Sequence, residues 1–291
     1  MALRRIMSAA AIAGALALAG CQANDVLSLK ENAPIPKETL ASMRANGMTP
    51  SSPILMRIFK DEGVLEVWKQ KDTGRYGLLK SYEICTYSGV KGPKLREGDR
   101  QAPEGFYAVS RQLLNPNSSF HLSFNMGYPN AFDRAHGRTG SNLMVHGACS
   151  SRGCYSMTDE NIAEIYAFAR EALSGGKQDA FQVQAFPFRM TPENLARHRG
   201  DRNFEFWQML KEGYDHFELT KAPPKVDVCG KRYVFNRVAE EGEFEATSAC
   251  PPMSMPVNLE LAYQSLQSKH ALAFEQAVAK LEGRPVSAGA Q

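Results

Sequence analysis

The chain has 291 residues, a formal net charge of +3, 43% hydrophobic residues and 22% charged residues. That is enough apolar material for a substantial core, as one large domain or as one domain with an appendage. The charge balance carries no basic surplus and excludes nucleic acid as the expected partner.

Residues 1–20 begin with Arg4 and Arg5 and continue in a small, apolar run from Ala9 to Ala19. A positive start and a short apolar stretch describe an export signal, and the stretch is too short to favour a membrane span. It ends in Leu18-Ala19-Gly20-Cys21, which resembles a bacterial lipobox. Cleavage before Cys21 and lipidation of its thiol are therefore expected, with an ordinary secretory peptide as the alternative. Loss of Arg4 and Arg5 lowers the formal balance to +1. Gln22, where an Asp would favour retention in the inner membrane, points to the outer membrane and a periplasmic location. Membrane contact is then expected through the lipid alone.

Residues 21–53 are polar, with Pro34, Pro36, Pro50 and Pro53, and read as a tether holding a short helix at 37–45. A catalytic domain is expected over 54–222. Runs at 54–60 and 64–70 flank Asp61-Glu62-Gly63, a hairpin signal. A third strand is expected at 77–86, then a loop rich in Gly and Pro to Pro103. Short strands follow at 105–110, 119–124 and 142–146, with a polar loop from Tyr128-Pro129-Asn130 to Gly140. The helix at 159–173 puts Ile162, Ile165, Tyr166, Ala169 and Leu173 on one face and stops at Gly175-Gly176. Thr191-Pro192-Glu193 reads as a cap, a first-turn proline and an acid at a helix start, with the helix running to about His198. Another helix is expected at 204–211. Pro223-Pro224 opens a C-terminal extension, 223–291, whose main element is an amphipathic helix at 259–281. The class is α+β, with a β-rich catalytic region, flanking helices and a C-terminal helical appendage.

The six cysteines are at 21, 85, 149, 154, 229 and 250. Export permits disulfides, and Cys229 with Cys250 is the first pair to expect. Cys149 is either a disulfide partner, a buried thiol or a second reactive one. The richest segment is Leu143-Met144-Val145-His146-Gly147-Ala148-Cys149-Ser150-Ser151-Arg152-Gly153-Cys154-Tyr155. It sets an imidazole and a thiol eight positions apart, across a loop that can fold back. A thiol becomes a nucleophile on ionisation, which a base, a cation or a helix N-terminus promotes. His146, Arg152 and the helix start near Thr158 are the three candidates. Metal binding by His146, Cys149 and Cys154 is disfavoured, because no fourth ligand stands at a zinc-site spacing.

His146-Gly147 followed by Ser151-Arg152-Gly153-Cys154 resembles the catalytic motif of the YkuD-type L,D-transpeptidases. The run from Phe120 to Arg134, Gly137-Arg138-Thr139-Gly140-Ser141 and Phe186-Pro187-Phe188-Arg189-Met190-Thr191 resemble the YafK-like branch of that family. The resemblance implies a β-rich YkuD fold acting on peptidoglycan stem peptides without a metal or organic cofactor. It makes Cys154 the nucleophile and His146 the proton donor and acceptor. Gly147, Ser151, Gly153 and Tyr155 belong to the loop that would stabilise an oxyanion. His121, Tyr128, Arg134 and Arg152 are candidates for a substrate groove, with structural roles open for each. Many members carry Arg two positions after the Cys, where this chain has Ser156. The YafK-like branch is also linked with cleaving peptidoglycan–protein crosslinks, so an envelope protein is a possible acceptor or substrate and amidase activity stays open beside transpeptidation. A papain-like or NlpC-type hydrolase is disfavoured because there the Cys precedes the His. A non-catalytic envelope lipoprotein leaves the Ser-x-Gly-Cys loop unexplained.

Overall fold

The structure, a computed structural model, describes residues 30–285, so the expected signal peptide and Cys21 lie outside the described residues. The elements begin with α1 (Lys37–Ala45), β1 (Ile54–Phe59), β2 (Val64–Gln70), β3 (Tyr76–Glu83), β4 (Thr86–Tyr87) and β5 (Gly105–Ser110). They continue with β6 (Leu114–Asn115), β7 (Ser123–Asn125), α2 (Ala131–Ala135), β8 (Met144–His146), β9 (Tyr155–Ser156) and α3 (Asp159–Ser174). Then come β10 (Ala180–Phe186), α4 (Pro192–Arg197), α5 (Phe204–Thr220), β11 (Val226–Cys229) and β12 (Arg232–Phe235). The last are β13 (Val238–Ala239), β14 (Met253–Ser254) and α6 (Val257–Leu281). This is the α+β class expected from the sequence.

One sheet has the order β3-β2-β1-β10-β5 and the other β4-β9-β8-β7-β6. In the first, β1 and β10 are parallel and the remaining pairs antiparallel. All six residues of β1 are buried because the strand is covered on both faces. Ile54, Met56 and Ile58 face one core, shared with α3, β7 and β8. Leu55, Arg57 and Phe59 point the other way, towards α5. Arg57, 1% exposed, lies 4.3 to 5.5 Å from the ring centres of Phe59, Phe186, Tyr214 and Phe217 and is paired with Glu218 at 2.6 Å. A buried guanidinium is thus compensated by one carboxylate and four aromatic faces.

Among the elements that extend or add to those read from the sequence are β10, α5 and α2. β10 alternates Phe181, Val183 and Ala185 with Gln182 and Gln184, a strand pattern that the reading above leaves out. Helix α5 continues nine residues past the expected end at Lys211, through Gly213. A Cβ on Gly213 would lie 2.4 Å from the Phe106 ring and 2.5 Å from that of Phe235, so this glycine permits close packing and does not end the helix. Helix α2 stands within the expected polar loop, closed by a reciprocal capping box between Asn130 and Asp133. The strand expected at 119–124 shrinks to β7, because His121 turns the chain with φ of 65°.

Residues 30–53, read above as the end of a tether, lie against the first core. Ile35, Met43 and Met48 are buried there, and Thr39 donates to Glu164 at 2.7 Å. After Pro224 the β11–β12 hairpin places Val228, Tyr233 and Phe235 in the second core, and Cys229 is bonded to Cys250 as expected. Helix α6 packs on α4 and α5 through Tyr263 and Val278. Leu281, at the helix end, is 51% exposed.

Lys60 and Glu104 form an ion pair at 3.0 Å with both side chains fully buried. Lys60 also donates to the Ala102 carbonyl, while Glu104 accepts from the Gly92 N–H and from Trp207 Nε1. The pair therefore ties the end of β1, the 88–104 loop and α5 together. Glu104→Ala is expected to cost about 3–5 kcal/mol, because it strands a buried ammonium. Urea unfolding of the variant checks this, and a loss below about 1 kcal/mol counts against the pair as an anchor.

Candidate active site

The site is made by the second sheet. β8 and β9 are parallel, with Val145 opposite Tyr155 and His146 opposite Ser156. Parallel neighbours ordinarily need a crossover of about a dozen residues or more. Here residues 147–154 suffice, because β8 and β9 are only three and two residues long and the chain has little distance to retrace. Continuing the register sets Cys154 opposite Met144, whose N–H lies 3.4 Å from the Cys154 Sγ. Side chains alternate along a strand, so Val145 and Tyr155 enter the core while His146 and Cys154 share the other face, diagonal to each other. The sequence spacing of eight becomes a two-residue diagonal in space.

Each group in the loop is held. A Cβ on Gly147 would lie 2.5 Å from Asp159 Oδ1 and 2.9 Å from the Phe120 carbonyl, so only glycine fits after His146. The Asp159 carboxylate, in the first turn of α3, accepts the Ala148 N–H at 2.8 Å. Cys149 is bonded to Cys85, and its N–H donates to the Met157 carbonyl. Cys149 is therefore a structural half-cystine and not a second free thiol. Ser151 Oγ donates to the Cys154 carbonyl at 2.7 Å and accepts from the N–H groups of Gly153 at 3.3 Å and Cys154 at 3.0 Å. The Ser88 hydroxyl stands 2.9 Å away from it.

The His146 Nδ1–H donates to the Gly147 carbonyl at 2.6 Å. That assigns the proton to Nδ1 and leaves Nε2 as the acceptor. The imidazole packs on the Phe120 ring, 4.7 Å between centres, and is 3% exposed. Burial holds the His146 imidazole below the ordinary histidine value, offset in part by the bond to Gly147. Burial likewise pushes the Cys154 thiol up, offset in part by the Met144 N–H and the charge of Lys94. The resting pair is thus a thiol beside a neutral imidazole.

Of the three candidates for ionising the thiol, neither Arg152 nor the start of α3 acts on it. Arg152 is exposed and is not among the charges acting on Cys154. The start of α3 serves Ala148 through Asp159. The cation that acts on the thiol is Lys94, whose Cε would lie 2.7 Å from a Cβ on Gly140. Asn142, two residues on from Gly140, offers its carbonyl at 3.7 Å from Sγ. Lys94 is 4% exposed and paired with Asp99 at 2.5 Å. Burial works to raise the Asp99 carboxyl, but Lys94 and three backbone N–H groups hold it down at about 2. In the sequence Lys94 carried no signal, being one lysine in a loop of glycines and prolines. Replacing Lys94 by Met is expected to move the pH midpoint of Cys154 alkylation by iodoacetamide to higher pH, since the thiolate loses its nearby cation. An unchanged midpoint removes Lys94 from the site.

The remaining candidates separate. His121 lies beside Gly147, 3.1 Å from a Cβ placed there, and so borders the loop. Tyr128 does not line a groove: it is 5% exposed, in the first core, and its hydroxyl donates to the Lys94 carbonyl at 3.2 Å. Its aromatic body is core packing, and its hydroxyl pins the loop from beneath. Arg134 is exposed on α2 and donates to the Pro129 carbonyl, a local bond within the helix start. The Arg138 of the neighbouring motif is paired with the buried Asp133 at 2.9 Å, a structural role. Ser156, where a cation was sought, is buried and donates to the Thr86 carbonyl. Tyr155 is fully buried, with its hydroxyl on the Pro103 carbonyl, and offers the site only its backbone. The Gly147 N–H is taken by the Phe120 and Leu122 carbonyls. The N–H groups of Gly147, Gly153 and Cys154 are thus all engaged within the protein at rest. Phe120 is the other residue not singled out from the sequence, although it begins the run that resembles the YafK-like branch.

Residues 55–203 match the model of the L,D-transpeptidase catalytic domain, YkuD. Over 186 residues the chain is 48% identical to YafK of Escherichia coli K12, named as a candidate L,D-transpeptidase; the alignment covers 64% of this chain and 75% of that protein. The YafK of E. coli O157:H7 matches equally. Among solved structures, the helical cell shape determining protein Pgp2 of Campylobacter jejuni aligns at 19% identity with a TM-score of 0.38, over 65% of this chain and 79% of that one. Bd1075 of Bdellovibrio bacteriovorus aligns at 20% identity with a TM-score of 0.32, over 57% and 60%.

Proposed function

Because the chain belongs to the YkuD family of L,D-transpeptidases, we propose that it is a cysteine-dependent transpeptidase of peptidoglycan stem peptides in the bacterial envelope. The observation that carries this reading is the β8–β9 register, which sets Cys154 and His146 on one sheet face with the His146 Nε2 left to accept a proton.

In this reading the Cys154 Sγ attacks a carbonyl carbon of the donor peptide as His146 Nε2 takes the thiol proton. Burial favours the uncharged pair at rest, so proton transfer accompanies attack. The carbonyl oxygen gains charge beside the Gly153 and Cys154 N–H groups. It replaces Ser151 Oγ as their acceptor, and Ser88 Oγ stands ready to receive the displaced hydroxyl. The C–N bond breaks, the leaving amine takes the proton from Nε2, and a thioester remains on Cys154. An acceptor amine then attacks the thioester carbon and gives its proton to His146, which returns it to the departing Cys154 sulfur and restores the thiol. Lipid on Cys21 would hold the enzyme at the outer membrane, facing the periplasm.

The same two residues serve a hydrolase when water resolves the thioester. Incubation of the full-length protein with disaccharide tetrapeptides is expected to give crosslinked dimers or exchange of the terminal D-residue. Release of protein from peptidoglycan carrying a covalently attached protein, with no dimers at any substrate concentration, overturns the transferase in favour of the amidase.

A further inference from the structure

A cavity lies on the far side of the first sheet, between α4, α5 and α6, with a volume of about 390 Å³. It is within the range of small-molecule sites. None of the groups that act on Cys154 lines it. Lys211 of α5 faces it and is bonded to Asp215 one turn on and to His270 Nδ1 of α6 at 2.7 Å. Because His270 Nδ1 accepts from an ammonium, the imidazole is neutral there. Burial and the charge of Lys211 act in the same direction on it.

Asp215 is the unusual member. It is 1% exposed, and its Oδ2 takes Lys211 and stands 3.5 Å from His270, but its Oδ1 is buried with no hydrogen-bond partner among the described residues. Buried carboxylate oxygens are almost always satisfied. Asp215 is therefore one donor short in a wall of the cavity. Most of the charges lining the cavity are negative. Glu212 is opposed by Arg237 at 4.0 Å. Glu275 lines the cavity and Glu193 acts on His270, so carboxylates outnumber the one ammonium. The apolar walls include Phe204 and Phe274, with ring centres 6.2 Å apart. An acidic floor beneath aromatic walls suits a cation on an apolar stem.

We propose that this cavity is a binding site for an alkylammonium group, held by the Asp215 carboxylate and flanked by Phe204 and Phe274. The group belongs either to a free diamine or to a diamino acid within a peptide. The site does not depend on the catalytic reading of Cys154.

Calorimetric titration of the full-length protein tests it with three probes: cadaverine, Nα-acetyl-lysine methylamide, and Nα-acetyl-norleucine methylamide, which keeps the stem and removes the charge. Saturable binding of an amine probe, at least about tenfold tighter than the norleucine probe, is expected. A tighter lysine probe identifies the peptide source, and a tighter cadaverine the free diamine. Asp215→Asn is expected to weaken amine binding by about tenfold or more. The exposed Ala271 lines the cavity, and Ala271→Trp fills it while leaving the residues of the polar cluster unchanged, so it is expected to abolish binding at an unchanged melting temperature and an unchanged rate of Cys154 alkylation. Equal binding of the norleucine probe, no saturable binding of either amine, or unchanged binding in Ala271→Trp overturns the proposal.

Discussion

Cys154→Ser is expected to lower turnover by about 10⁴-fold or more, with the fold intact. The substitution is nearly isosteric, and Sγ makes only weak contacts with the Met144 N–H and the Asn142 carbonyl. The loss comes from chemistry. A hydroxyl is a far poorer nucleophile, and a neutral imidazole held below its ordinary value is a weak base for activating it. A carbapenem-type β-lactam, a strained acyl donor, should leave an adduct on the parent protein and none on the variant by mass spectrometry. An adduct on the Ser variant would move the nucleophile elsewhere. Cys149 is then no candidate, since its sulfur is bonded to Cys85.

His146→Ala is expected to cost 10²- to 10⁴-fold in the acylation rate, the usual range for a positioned acid–base group. The pH dependence has a definite sign. Protonation of Nε2 removes the acceptor, so the rate falls as pH drops through the His146 value. Burial puts that value below the ordinary one, so the acid limb lies at lower pH than for a free histidine. In the Ala variant the acid limb disappears, and acylation rises with pH as the buried thiol ionises. Stopped-flow acylation across pH, with the Phe120 ring still in place, measures both. An acid limb retained by His146→Ala assigns the base to another group.

Much of this arrangement could be read in the sequence, for identifiable reasons. Helix α3 announced itself by periodicity and by Thr158, whose side chain accepts from the Asn161 N–H. α4 did so through Thr191 and Pro192. Local signals of this kind need no tertiary partner. The His-Gly and Ser-x-Gly-Cys spacing carried the site because the loop itself returns the chain. What stayed hidden was non-local. Gly213 looks like a helix stop until the Phe106 and Phe235 rings are placed against it. Lys94 stands in the 88–104 loop that the buried Lys60–Glu104 pair helps to fix, and nothing in the loop's own composition says so. Cys85 and Cys149 are 64 residues apart, and their pairing depends on a fold not yet known when the cysteines are counted. Arg152 was the opposite case, a cation close in sequence to a thiol that it does not influence in space.

The parallel return from β8 to β9 makes the step from Cys154 to Tyr155 a matter of parity. Side chains alternate at a period of two along extended backbone, so slipping β9 by one residue against β8 exchanges the faces of its side chains. Cys154 would then turn into the core, and Tyr155, now buried with its hydroxyl on Pro103, would turn out beside His146. Residues 147–153 lie outside the strands and take up changes of length, so the constraint falls on the Cys154–Tyr155 step and the β9 register. The thiol and the core hold their places together or lose them together.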